Sequence, residues 1–155
     1  GTGSHPTTHL CLQWLCDTKL TGKTVLDYGC GSGILACAAA ILGAQRVTGV
    51  DNDEQAITAS VSNASLNPDA ASVAWFLADD YTVAPADIII ANILAPPLLQ
   101  LKSMFSEVLS PGGVCVLSGL LETDVEEIVK SYSTDFELRT CVVAGDWARL
   151  ELQRI

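Results

Sequence analysis

The chain is short of positive charge and has no long apolar run. Lys and Arg number 8 against 18 Asp and Glu, which gives a formal net charge of −10. Such an acidic surface repels phosphate backbones, which argues against direct nucleic-acid binding, and it suits a basic protein partner. The longest apolar runs, such as 34–42, are too short to span a bilayer. No secretory signal is visible, so we expect a protein that is neither membrane-bound nor exported.

The chain also lacks any C-x-x-C pair. Its six cysteines lie mostly in apolar runs, where they are typical of small buried hydrophobic residues, and a reducing cytoplasm is the simplest setting. His5, His9, Cys11 and Cys16 are close in sequence, but Pro6 interrupts the first interval and the cysteine spacing is wrong for zinc. We therefore predict no metal site.

Apolar segments alternate with helical patterns along the 155 residues, which is typical of one domain built on a parallel sheet covered on both faces. A hairpin is expected at the end, around 144–146. We predict an α/β, doubly wound, mostly parallel seven-stranded sheet with an antiparallel C-terminal strand. Strands are expected near 24–28, 46–50, 72–77, 86–91, 113–118, 136–143 and 147–154, and helices near 7–18, 33–42, 53–66, 96–109 and 122–132.

Local signals set several of these boundaries. Thr7 or Thr8 is expected to cap the first helix, and Gly43 to end the second. Pro96 and Pro97 fit only the first turn of a helix. The run 110–113, Ser-Pro-Gly-Gly, predicts a turn between a helix and the next strand.

The most informative segment is 25–33, VLDYGCGSG. A short strand enters a glycine-rich turn, and a helix follows. Gly29 and Gly31 let the backbone pass close to a ligand, and the helix N-terminus points its N–H groups at that ligand. The second strand ends at Asp51, where a carboxylate can accept hydrogen bonds from a ribose diol. Together these features indicate a nucleoside cofactor, whereas a ligand-free strand–helix turn is the simpler alternative.

The spacing of the glycines distinguishes between cofactors. A dinucleotide fingerprint, G-x-G-x-x-G, would need a third glycine at position 34, which is Ile34. This disfavours a nicotinamide-dependent oxidoreductase. Asp27 precedes the loop, and its carboxylate suits the α-ammonium group of an amino acid moiety. We therefore predict S-adenosylmethionine as the cofactor, with Asp27, Gly29, Gly31 and Asp51 in its site.

The fourth strand is apolar until Asn92 at its C-terminal tip, the edge at which ligands bind in open α/β sheets. Its side-chain carbonyl can accept from a substrate N–H and turn the nitrogen lone pair toward a methyl group. Asn92 is therefore the predicted catalytic residue, and capping of the next helix is the alternative. The sequence offers no obvious general base, so alignment and desolvation would provide most of the acceleration.

The sequence is identified as a member of a known family by four motifs in order: GTGSHPTT, VLDYGCGSG, GVDND and ANILAPPL, with Leu117-Ser118-Gly119 and Trp147 in support. They resemble the methyltransferases that modify protein eleven of the large ribosomal subunit, over essentially all 155 residues. The resemblance implies a class I, Rossmann-like methyltransferase fold. It also implies transfer of methyl groups from S-adenosylmethionine to α- and ε-amino groups of that ribosomal protein, with S-adenosylhomocysteine as the product.

Carried over by position, the family's cofactor contacts fall on Thr8, Gly29, Asp51 and Asn92. The family's N-terminal substrate-recognition domain has no counterpart before Gly1, so we expect 1–155 to be the catalytic domain, acting as a monomer in the cytoplasm. His9 stands where the resemblance implies a small residue, and Pro96 where it implies glycine.

Other functions remain open at this stage. A nucleic-acid N-methyltransferase would also carry a polar residue at the fourth strand tip but would then use an aromatic residue to stack the flipped base, and Ile93 and Leu94 follow here instead. A small-molecule N-methyltransferase is a further alternative. So is a cofactor-binding domain without activity.

Overall fold

The computed structural model describes residues 4–155; residues 1–3, where the run GTGSHPTT begins, lie outside the described residues. Within residues 4–155, seven strands form one sheet in the order β3-β2-β1-β4-β5-β7-β6. The strands are β1 (Thr24–Tyr28), β2 (Arg46–Asp51), β3 (Ala74–Leu77), β4 (Ala86–Asn92), β5 (Leu109–Leu121), β6 (Phe136–Ala144) and β7 (Trp147–Arg154). The helices are α1 (Pro6–Cys16), α2 (Ile34–Ile41), α3 (Glu54–Ala64), α4 (Ala95–Val108) and α5 (Val125–Tyr132).

The predicted fold class is confirmed. Strands β1 to β5 pair in parallel, whereas β7 is antiparallel to both of its neighbours. The antiparallel strand comes after β6 in the chain but does not lie at the edge of the sheet, because β7 is placed between β5 and β6. The outer strand, β6, therefore runs in the same direction as the parallel strands.

Strand β4 shows why its sequence is an unbroken apolar run. Ile89 belongs to a core formed with α4 and α5, whereas Ile88 and Ile90 belong to a second core formed with α1 and α2. Successive side chains of a strand point to opposite faces, so a strand covered on both sides needs apolar residues at every position. The sheet thus holds the C-terminal tips of β1, β2 and β4 side by side.

Several predicted boundaries need correction. His5, not a threonine, caps α1: its Nδ1 accepts from the Thr7 N–H at 3.2 Å. Strand β5 begins at Leu109, before the run 110–113, because Leu109 already pairs with Ala86 and the run is looped out of the ladder. The segment predicted as helix from 122 begins as a 3-10 turn at 122–124.

Other boundary signals are confirmed. Gly43 follows α2 with a φ of 103°, and its N–H bonds to the Ala40 carbonyl while that of Ala44 bonds to Ala39, which is a Schellman ending. Pro96 and Pro97 lie in the first turn of α4. Among residues 4–155, no helix is both long enough and apolar enough to cross a membrane.

Candidate active site

The turn between β1 and α2 is built on glycines in the left-handed region. Gly29, Gly31 and Gly33 have φ values of 79°, 55° and 83°. A Cβ on Gly29 would collide with Cγ2 of Ile93, and a Cβ on Gly33 would lie 2.8 Å from Ser60 Oγ. At Gly29 and Gly33 both conformation and space therefore require glycine.

Helix α3 holds this turn in place, which the sequence did not reveal. Ser60 Oγ donates to the Gly31 carbonyl at 2.8 Å, and Asn63 Nδ2 donates to the Ser32 carbonyl at 2.8 Å. The two donors are three positions apart and so share one face of the helix. The only sequence signal was two polar residues on the face that also carries the buried Ala64.

Asp27 is buried beneath the glycine turn, with a side chain 1% exposed. Its Oδ2 accepts from the Ala36 N–H at 3.0 Å, so Asp27 caps the first turn of α2 from the neighbouring strand. We expected the N–H groups of this helix to face a ligand, but the Ala36 N–H is already bonded to Asp27. The pKa of this carboxyl is raised from 3.8 to about 7, mainly by burial; the Ala36 hydrogen bond lowers it and the nearby Asp51 raises it. A cation placed beside Asp27 would favour its ionised form.

Asp51 ends β2 and faces the same turn. Its Oδ2 accepts from the Gly31 N–H and its Oδ1 from the Asp53 N–H, both at 2.9 Å. An ionised carboxylate has about four acceptor positions, so each oxygen can take a further hydroxyl donor. The carboxylate is thus fixed in orientation and can still accept from a diol.

Asn92 ends β4 and faces α1. Its Nδ2 donates to Thr8 Oγ1 at 3.4 Å, while its Oδ1 is buried and has no hydrogen-bond partner. Leu94 is the N-cap residue of α4, with no side-chain cap bond, so Asn92 does not cap that helix. A buried carbonyl oxygen without a partner is costly, and a bound donor group would satisfy it.

Five of the six predicted site residues, with Asp51 as the exception, line one small cavity. Its volume is about 30 Å³, enough for a small polar group. A neighbouring cavity of about 300 Å³ shares Gly29 with it and contains Asp51. A third, also about 300 Å³, shares Thr8 and Asn92 with it and opens past Trp147. The small cavity is lined by Thr8, Asp27, Gly29, Cys30, Gly31, Ile34, Leu35 and Asn92.

The nearby sulfur and nitrogen groups do not form a nucleophile or a metal site. Burial raises the pKa of Cys30, next to the glycine turn, to about 12, so its thiol stays protonated. His9 contacts Gln13 across one helical turn. In the part of the chain that the structure describes, no group of three or more His, Cys, Asp or Glu could hold a metal ion.

Comparison with known proteins decides the family. The family model described as ribosomal protein L11 methyltransferase (PrmA) matches residues 1–155. The chain belongs to this family. The resemblance drawn from the sequence motifs is therefore confirmed.

Ribosomal protein L11 methyltransferases from two bacteria illustrate the similarity. The chain is 48% identical over 155 residues to that of Pseudomonas putida (strain W619), covering 99% of this chain and 53% of that protein. For the enzyme of Photobacterium profundum the identity is 47% over 151 residues, covering 97% of this chain and 51% of that protein. The chain thus spans about half the length of the curated relatives it matches.

A solved structure agrees. The ribosomal protein L11 methylase from Lactobacillus delbrueckii subsp. bulgaricus superposes with a TM-score of 0.90 at 33% identity, covering 98% of this chain and 80% of that chain. Family membership and the shared fold therefore rest on independent comparisons.

Proposed function

We propose that this chain is the catalytic domain of an S-adenosylmethionine-dependent methyltransferase that acts on amino groups of ribosomal protein L11. The observation that carries this proposal is the small cavity that brings Thr8, Asp27, Gly29 and Asn92 together, with the Asn92 carbonyl oxygen unpaired. Nothing in the fold alone would require a buried, unsatisfied carbonyl at a strand tip.

The residues present fit S-adenosylmethionine. Asp27 would hold its α-ammonium group, Asp51 its ribose hydroxyls, and the turn at Gly29 and Gly31 would approach it closely. Burial of Asp27 strengthens an ion pair with the ammonium, because the effective dielectric constant is lower there than in water. When bound, the cofactor supplies an electrophilic methyl group for transfer.

The acceptor would approach through the cavity that opens past Trp147. Asn92 Oδ1 can accept a hydrogen bond from an amine N–H and so direct the nitrogen lone pair, while Ile93 and Leu94 supply apolar walls. An amine must be neutral to attack, and apolar walls favour the neutral form by removing water. The chain's contribution is thus alignment and desolvation.

Charge around this opening supports a cationic partner. Trp147 follows Asp146 in the β6–β7 hairpin, and the Glu122 N–H bonds to the Asp146 carbonyl. The two adjoining segments, 119–129 and 140–148, contain acidic residues and no Lys or Arg. A protein segment carrying lysines or a free amino terminus would be attracted here, which favours a protein amine over a nucleic acid.

We further propose that both α- and ε-amino groups are modified, and that recognition of the whole ribosomal protein uses residues outside this chain. The family resemblance implies the first point, and the coverage of about half of each relative supports the second. We place the protein in the cytoplasm because its six cysteines are all free.

Calorimetric titration of this chain with S-adenosylmethionine, with NADH as the control, tests the cofactor assignment. Saturable binding of the methyl donor alone is expected, and binding of NADH instead would refute the cofactor assignment.

Mass spectrometry of ribosomal protein L11 after incubation with this chain and S-adenosylmethionine then tests the acceptor. Samples of ribosomal protein L11 with blocked lysines or a blocked amino terminus separate the two amine types. If neither amine type is methylated although the cofactor binds, the chain is a cofactor-binding domain without this activity.

A further inference from the structure

Three alternate residues of β7 contact α1 or its N-cap residue. Trp147 packs edge-on against His5 with ring centroids 5.1 Å apart, Arg149 Nη1 donates to the Leu10 carbonyl at 2.8 Å, and Glu151 Oε1 accepts from Trp14 Nε1 at 2.5 Å. These side chains share one face of the sheet because side chains alternate along a strand. The residues that alternate with them, at 148, 150 and 152, are buried in the core on the opposite face.

Arg149 is the unusual member of this row. It is only 9% exposed, its Nε has no hydrogen-bond partner, and no carboxylate pairs with it among residues 4–155. A buried guanidinium with an unsatisfied donor costs stability, and an apolar residue of similar length would avoid that cost. Its hydrogen bond to the Leu10 carbonyl therefore indicates a role in positioning α1.

That contact lies next to the cofactor site. Thr8 precedes Leu10 by two positions on α1, lines the small cavity and accepts from Asn92 Nδ2. At 3.4 Å this bond is long, so it cannot hold α1 in place by itself. The position of Thr8 therefore depends on how α1 is held by the sheet.

We propose that Arg149 is a positioning residue: by holding the Leu10 carbonyl it keeps Thr8 against Asn92 and so closes the methionine end of the cofactor site. The cofactor identity here rests on the proposed function, whereas the contact between α1 and β7 does not. Arg149 touches neither of the cavities that contain Asn92, so its effect must pass through α1.

The test compares Arg149→Met with Arg154→Met in the whole chain. Arg154 is the matched control because it lies on the same strand and also donates to backbone carbonyls, those of Ser106, Asp135 and Ile155, away from α1. Three quantities are measured: amide hydrogen exchange of α1, the Asn92 side-chain amide resonances, and the dissociation constant for S-adenosylmethionine.

For Arg149→Met we expect exchange in α1 to rise by about fivefold, since a hydrogen bond contributes about 1 kcal/mol. The Asn92 amide resonances should shift, and cofactor affinity should fall by a similar factor, while exchange in α3 stays at the parental rate. Arg154→Met should leave all three at parental values. Unchanged Asn92 resonances, unchanged affinity, or a uniform rise in exchange across the chain would each overturn the positioning role.

Failure of the proposed function gives a different pattern. If the parent chain does not bind S-adenosylmethionine, the cofactor assignment is wrong, yet α1 exchange and the Asn92 resonances still decide whether Arg149 positions Thr8. If Arg149→Met does not fold, Arg149→Lys replaces it. Lysine keeps the charge but lacks the planar fork, so a smaller shift in the same direction is expected, and no shift would refute the proposal.

Discussion

The buried carboxyl of Asp27 makes the stability of this chain depend on pH. Its folded pKa of about 7 lies above the ordinary value of 3.8, so between these values the folded state retains a proton that the unfolded state has lost. Raising the pH through this window must therefore destabilise the folded state. Asp27→Asn removes the titration while keeping an oxygen that can accept from the Ala36 N–H.

The magnitude follows from the size of the shift. At about 1.36 kcal/mol per pKa unit, the full penalty at high pH is about 4 kcal/mol. Of this, roughly 3 kcal/mol develops between about pH 5 and pH 8, where most carboxylates have finished titrating. Relative to the parent, Asp27→Asn should gain about that much unfolding free energy over the same interval.

Urea unfolding followed by tryptophan fluorescence at several pH values measures this difference. Subtracting parent from variant at each pH cancels the other titrating groups. If the difference stays constant between pH 5 and pH 8, Asp27 does not titrate in this range and the argument fails. The expected rise would also support a cofactor prediction: S-adenosylmethionine, by placing an ammonium beside Asp27, should release a proton on binding to the parent near neutral pH but not to Asp27→Asn.

Three further predictions test the site. Asp51→Ala should weaken S-adenosylmethionine binding by roughly 1–3 kcal/mol through loss of charged hydrogen bonds to the ribose, and unchanged calorimetric affinity would remove that assignment. Asn92→Ala should lower kcat more than cofactor affinity; an equal fall in both would make Asn92 a binding residue. Gly29→Ala and Gly22→Ala share nearly the same φ, 79° and 78°, but only the first meets Ile93. Gly29→Ala should therefore cost about 1–3 kcal/mol more in denaturant unfolding, and equal costs would contradict the close packing.

The sequence predicted the sheet edge well because the relevant signals are local. Asp27, Asp51 and Asn92 each interrupt or end an apolar strand, and parallel strands bring such positions to one edge. The glycines were recognisable because the turn needs left-handed backbone and close approach, which no other residue tolerates well. These constraints act within a few residues, so they leave a pattern that can be read along the chain.

Features that depend on distant partners could not be predicted in this way. Ser60 and Asn63 bond to carbonyls about one helix and one strand away in the chain, which leaves no periodic trace. Strand β5 begins earlier than predicted because Leu109 pairs with Ala86. The Ser-Pro-Gly-Gly run at 110–113 predicted a turn there and gave no indication of this pairing. The cap of α1 came from His5, a residue less typical of that position than the threonines beside it.

The position of β7 between β5 and β6 determines the order in which the strands can join the sheet during folding. While the chain is being synthesised, β6 leaves the ribosome before β7, yet it has no strand to pair with until β7 arrives. The same strand supplies the partners of α1, 137 and 139 residues away in the chain. Such long-range closure is slow. The candidate active site of a nascent molecule is therefore incomplete until β7, which supplies Trp147 to it, has been released and has inserted into the sheet.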